Sequence, residues 1–439
     1  MMEHRISVSS IAACIVGNCF EWFDFVVYSL FSFVIAKQYF PTSNEMVSML
    51  LVLASFGLGY VVRPLGGIFW GAYADGAGRR AALVRISMLM ATGTAIIAFT
   101  PTYASIGIAA PILIVTARLV QGFSAGGEFA SATSLLIEYA PHNKRGVYAS
   151  WQMASQVATI AVASLAVLLL THYLGKGALE AWGWRTVFVF GILVGPLGYY
   201  MRTRLAESPE FEAFLRSQGR PAQAPLREVV AKHRSALACG AGVVLIGTSA
   251  FYLIMIYLPI FAARRLGIGM EAAQLATILC CVLQFGVCLW AGHLSDRYGR
   301  RAIMLPACVA YALFAYPLFE RLITTPSFIN LLIAQGVTNL FLGFISGPMP
   351  AALSELFPVE IRSSGVGLVY NVVGAVFGGL SPAIITWLIV VTGDNASPAW
   401  WALVTGLIGA IATFYLRLIA TDRHDRTLES CCEITHKGC

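Results

Sequence analysis

The decapeptide GAYADGAGRR (residues 71–80) and its counterpart GHLSDRYGRR (residues 292–301) share one template, GxxxDxxGRR, set 221 residues apart, and each follows a long apolar run. A second echo runs beside it. EYAPHNKRG (138–146) and ELFPVEIR (355–362) both place a Glu, a Pro and an Arg after an apolar run, 217 residues apart. Two repeats at nearly one offset indicate parallel halves related by an axis along the membrane normal.

Working outward from these loops, apolar runs occupy 11–36, 46–72, 82–100, 106–139, 146–173 and 184–203, then 235–262, 271–294, 302–321, 327–356, 363–391 and 399–420. Each is near the roughly 20 residues that a helix needs to cross a bilayer. The chain is 58% hydrophobic and 12% charged, whereas soluble domains carry roughly 25% charged residues. Lipid can cover such a surface. The expected fold is an all-α membrane protein with twelve transmembrane helices in two pseudo-symmetric six-helix bundles, residues 1–203 and 235–420. A cytoplasmic linker (204–234) would join them, read as a solvated tether in which ESPEF (207–211) could open a short amphipathic helix. A cytoplasmic tail (421–439) is expected to be disordered. The first run contains Glu21 and Asp24 and passes Val34, too long and too charged for a cleaved signal segment, so it reads as the first span.

The net charge of +7 is scattered over short loops, the pattern of positive loops on the cytoplasmic side with both termini there. It forms no basic face, so no nucleic-acid partner is expected. Of ten cysteines, Cys14, Cys19, Cys239, Cys280, Cys281, Cys288 and Cys308 lie in or beside apolar runs and read as packing residues. Cys431, Cys432 and Cys439 with His436 match no zinc spacing. No metal, cofactor or enzymatic nucleophile–base set is expected, and no GxxxxGK[ST] loop supports a nucleotide-driven pump. A channel would repeat its pore charges around an oligomeric axis, and here they fall in one half.

The doubled GxxxDxxGRR loop resembles the signature of the major facilitator superfamily over essentially the whole chain. The resemblance implies a cytoplasmic latch built from Asp75, Arg79, Arg80, Asp296, Arg300 and Arg301. GNCFEWFDF (17–25), RPLGG (63–67) and RLVQGFSAGGE (118–128) resemble the metabolite–proton symporter branch, whose members carry organic acids and zwitterionic osmolytes. WQMASQ (151–156) and TGDNASPAWW (392–401) look most like citrate–proton symporters, with Trp22 departing from their pattern beside the aspartate. The implied activity is import of a small carboxylate with a proton through the bacterial inner membrane, by a monomer in the lipid bilayer.

An ionised group at mid-bilayer costs roughly 2.5–3.5 kcal/mol, so it is shielded or useful. Glu21, Asp24, Arg63, Arg118 and Glu128 stand out, all in the first half. At a rise of about 1.5 Å per residue, Asp24 and Arg118 both lie roughly 18–20 Å deep, near the midplane. Asn18, Glu21, Asp24 and Tyr28 share one helix face. Asp24 and Arg118 are therefore expected to form a proton switch, paired while Asp24 is ionised, with Glu21 as the rival proton site. Arg63 either binds a second carboxylate or locks Glu21 or Glu128. Glu128, after two glycines, reads as a structural bond. Arg118, Arg63, Asn18, Tyr28, Gln121 and Gln156 are candidate substrate contacts from the first half. Tyr252, Asn339 and Asn371 are candidates from the second.

Overall fold

A computed structural model describes residues 8–218 and 225–436, and every regular element among them is helical. The first bundle holds α1 (Val8–Leu30), continued after a turn by Ser32–Tyr39, α2 (Glu45–Ala77) and α3 (Arg79–Phe99). It is completed by α4 (Ala109–Tyr139), α5 (Arg145–Tyr173) and α6 (Trp184–Thr203). The second holds α7 (Arg234–Phe251, prolonged through Tyr252–Tyr257 and Leu258–Arg265), α8 (Met270–Tyr298) and α9 (Arg300–Thr324). It closes with α10 (Phe328–Ser346, then Met349–Glu355), α11 (Arg362–Val373, Gly374–Gly379, Ser381–Thr392) and α12 (Ser397–His436).

Eleven segments among the described residues are long and apolar enough to cross a membrane. The sixth of the twelve expected spans, α6, is a helix of 20 residues that is not among those eleven. The run at 302–321, the weakest of the twelve, forms one unbroken helix despite Pro306 and Pro317. The prolines at 348 and 350 interrupt α10, since neither can donate to the helical ladder.

Both bundles meet where side chains vanish. A Cβ at Gly71 of α2 would lie 2.9 Å from the Ser364 backbone of α11. A Cβ at Gly292 of α8 would lie 2.7 Å from the Gly146 carbonyl of α5. Thus α2 packs on α11 and α5 on α8, related pairs that glycine alone allows to touch. Tyr252–Tyr257 and Gly374–Gly379 are π-helical and lie at mid-chain of α7 and α11. Wide turns of this kind are frequent at functional sites.

Two expectations fail here. The linker is not a free tether: Pro209–Gln218 and Pro225–Lys232 are helices, and Phe211 and Val229 are buried. Their apolar faces find cover against the bundles. The tail is helical as far as His436, because no glycine or proline interrupts residues 411–436. Cys439 lies outside the described residues.

Candidate functional site

The repeated loops meet crosswise. Asp75 accepts from the backbone N–H groups of Ser363 (3.1 Å) and Ser364 (2.8 Å), at the start of α11. Asp296 accepts from those of Gly146 (2.7 Å) and Val147 (2.9 Å), at the start of α5. A carboxylate on unsatisfied N–H groups at a helix N-terminus is favoured by hydrogen bonding and by the helix dipole. Arg79 lies 3.4 Å from Asp75 and 3.2 Å from Glu138, and donates to the Val359 carbonyl of the other bundle. Arg300 holds Asp296 at 2.7 Å and Glu355 at 2.9 Å. Arg362 bridges Glu138 (2.9 Å) and Glu210 (3.2 Å), and Arg145 also pairs with Glu210.

Arg80 and Arg301 take no part in this crossing. Arg80 donates to the Thr203 carbonyl in its own bundle, and Arg301 lies 4.2 Å over the Phe414 ring in its own. Each points away from the interface from its place one residue past the arginine that crosses or braces it. The linker supplies what the sequence did not reveal. Glu207 accepts from the backbone of Arg79 and Arg80, capping α3, and Ser208 joins Glu138 to the first turn of the Pro209–Gln218 helix.

At mid-depth a narrow cavity lies between the bundles. Arg63 and Gln156 line it from the first, Tyr252 and Asn371 from the second, and Trp22 and Tyr370 flank them. Arg63 is ion-paired to Glu21, and its guanidinium lies 4.5 Å over the Phe25 ring and 4.6 Å over that of Tyr60. Three aromatic contacts join the bundles around it. Trp22 meets Phe251 edge-on at 5.1 Å, Tyr252 donates to the Tyr60 hydroxyl at 2.5 Å, and Phe129 stacks on Tyr370 at 3.6 Å. Asn371 donates to the Gly126 carbonyl at 2.6 Å.

Asp24 and Arg118 do not pair. Gln121 stands between them: its amide N–H donates to Asp24 Oδ2 at 2.9 Å, and its carbonyl oxygen accepts from Arg118 at 2.8 Å. Thr94 also donates to Asp24 Oδ2, while Oδ1 has no partner and faces Gly191. Arg118 lies 4.4 Å over Phe25, 4.5 Å over Tyr28 and 5.1 Å over Phe56. These rings enclose it and keep it out of the cavity. The expected direct Asp24–Arg118 pair is therefore not formed, and Gln121 bridges the two side chains.

The other candidates divide by position. Tyr28 hydrogen-bonds Ser55 at 2.6 Å behind the cavity wall. Asn18 donates to the Gln152 carbonyl and Ser155 and accepts from Gln156, so it positions a lining residue. Asn339 is buried beside Cys280 and does not line the cavity, because its face of α10 packs on α8. Glu128 is locked by Arg202 at two oxygens, and Arg202 also donates to the Cys14 and Leu83 carbonyls. Arg202 was not among the residues expected from the sequence; it lies in the last turn of α6. Among the described residues, buried charges at membrane depth belong to the first bundle; Arg362 of the second sits at the loop end.

Residues 14–319 and 285–430 match the family model described as Major Facilitator Superfamily. The chain belongs to that superfamily. This major facilitator chain is 38% identical over 403 residues to a citrate-proton symporter of Klebsiella pneumoniae, covering 91% of the chain and 89% of that protein. It is 37% identical to a citrate-proton symporter of Salmonella typhi, over 91% of the chain and 92% of that protein. A proline/betaine transporter of Salmonella typhimurium is 32% identical over 92% of the chain and 82% of its own length. The fold is shared with the proton:xylose symporter XylE bound to 6-bromo-6-deoxy-D-glucose, at TM-score 0.79 and 16% identity, over 94% of this chain and 95% of that one.

Proposed function

We propose that this chain is a proton-coupled symporter importing citrate or a related tricarboxylate by alternating access. Residues 1–203 and 235–420 rock as two bodies in the bacterial inner membrane, with both termini cytoplasmic and the monomer as the working unit. The observation that carries the reading is Arg63, a guanidinium lining the central cavity whose counter-ion is the protonatable Glu21. A guanidinium fork matches a carboxylate geometrically. While Glu21 is ionised it holds Arg63. A proton on Glu21 frees Arg63 for a guest carboxylate, so proton and anion binding favour each other. Asp24, tied to Arg118 through Gln121, is the second proton site.

Another small carboxylate or a zwitterion is the second reading, favoured by the proline/betaine transporters among the relatives. Proteoliposome uptake of labelled citrate under an imposed pH gradient, with tricarballylate, shikimate and betaine as competitors, separates the two. The expected result is accumulation that follows the gradient and is competed by tricarballylate. Betaine accumulation in place of citrate, or uptake indifferent to the gradient, overturns the assignment. Asp24→Asn is expected to abolish accumulation against a gradient. If accumulation survives, Asp24 is not a coupling group.

A further inference from the structure

Phe25 directly follows Asp24 on α1, and its ring is buried, 2% exposed. Two guanidiniums lie over that single ring. Arg118 is 4.4 Å from its centroid and Arg63 is 4.5 Å from it. The first belongs to the Asp24–Gln121 relay and the second to the central cavity. Like charges repel strongly at short range where water is excluded. A ring face attracts a cation through its quadrupole, most strongly when the pair is desolvated. Each arginine has its own acid, Glu21 for Arg63 and Asp24, through Gln121, for Arg118.

We propose that Phe25 is the positioning residue that couples the proton site to the guest site, by giving Arg118 and Arg63 one ring to share. The inference rests on the symport reading above. When the Asp24 carboxylate takes a proton, the charge of Arg118 is no longer compensated. Its remaining contacts are the neutral Gln121 carbonyl oxygen and the rings of Phe25, Tyr28 and Phe56, and two of its nitrogens have no hydrogen-bond partner. Positive potential then rises at Arg63 across the shared ring, and an incoming carboxylate relieves it. The titratable and charged groups around the ring are Glu21, Asp24 and Tyr28 of α1, Tyr60 and Arg63 of α2, and Arg118 of α4. Tyr252 and Tyr370 face Arg63 from the second bundle.

The test is the ratio of citrate affinities at an acid and at a neutral pH, measured by citrate binding to reconstituted full-length protein. The ratio cancels differences in the amount of inserted protein. In F25L it is expected to fall about tenfold, the value of roughly one desolvated cation–π contact. F25W, which keeps a ring, is expected to restore it. F25M, close to Phe in volume and without a ring, is expected to behave as F25L, and serves where F25L does not insert. A wild-type ratio in F25L or F25M overturns the proposal while leaving the symporter reading intact. Wild-type protein that accumulates no acid under a pH gradient overturns both.

Discussion

Asp75 Oδ2 receives the Ser364 amide N–H at 2.8 Å, so an acid on α2 closes the first turn of α11 in the opposite bundle. Asp296 does the same for α5 from α8. Losing such a cap costs about 0.5–2 kcal/mol. Asp75→Ala and Asp296→Ala are each expected to shift the chain several-fold toward a state open at the loop end. Thiol labelling of Met153→Cys in a background without other accessible cysteines reads this. Faster labelling from the loop side is expected, and unchanged rates in both variants contradict the latch.

Arg63→Ala removes the cation of the central cavity and leaves Glu21 without its partner. Charge-assisted hydrogen bonds are worth about 1.5–3 kcal/mol, so the citrate KM is expected to rise at least tenfold. Arg63→Lys keeps the charge without the fork and is expected to fall between wild type and Ala. An unchanged KM in Arg63→Ala removes Arg63 from the guest site.

The Glu128–Arg202 pair is buried, with Arg202 at 0% and Glu128 at 2% exposure. Breaking one side of such a pair costs about 3–5 kcal/mol. Arg202→Ala is expected to lower the melting temperature in detergent sharply, and adding Glu128→Gln is expected to recover part of the loss. Additive losses in the double variant contradict a shared origin.

Glu207 lies outside the spans, where burial pushes its carboxyl above the usual glutamate value. The N–H groups of Ser208, Arg80 and Arg79 pull part of that shift back. A carboxyl raised on folding contributes stability that is full below its unfolded value, near 4.5, and lost as pH rises through the folded one. Thermal stability is therefore expected to decline as pH rises from below 4.5 through the raised value, and Glu207→Gln is expected to flatten that decline. An equal slope in both proteins refutes it.

The repeat, the span order and the placement of charge in one bundle were legible because they depend on spacing and on the cost of charge in lipid. Arg63 was legible for the same reason, whereas Gln156, which also lines the cavity, was singled out only within the resemblance of residues 151–156. The Gln121 bridge was not, since two residues at the same depth on facing helices can pair or be separated by a third, and depth alone does not choose. Arg202 was hidden because an arginine closing a span looks like an interfacial anchor until its helix is seen to turn it inward. Glu207 and Glu210 were read as solvent-facing because a linker's contacts depend on how the bundles around it sit.

The second bundle brings tyrosines, an asparagine and glycines to the cavity, with no ionisable acid or arginine among its described lining residues. Its wall can therefore be recut for a different guest without disturbing how the gradient is tapped. Divergence of cargo among relatives would then be written mainly in α7, α10 and α11, and the machinery of energy conversion in α1, α2 and α4. A chimera that exchanges only the second bundle with a betaine-carrying relative would be predicted to change its diet and keep its fuel.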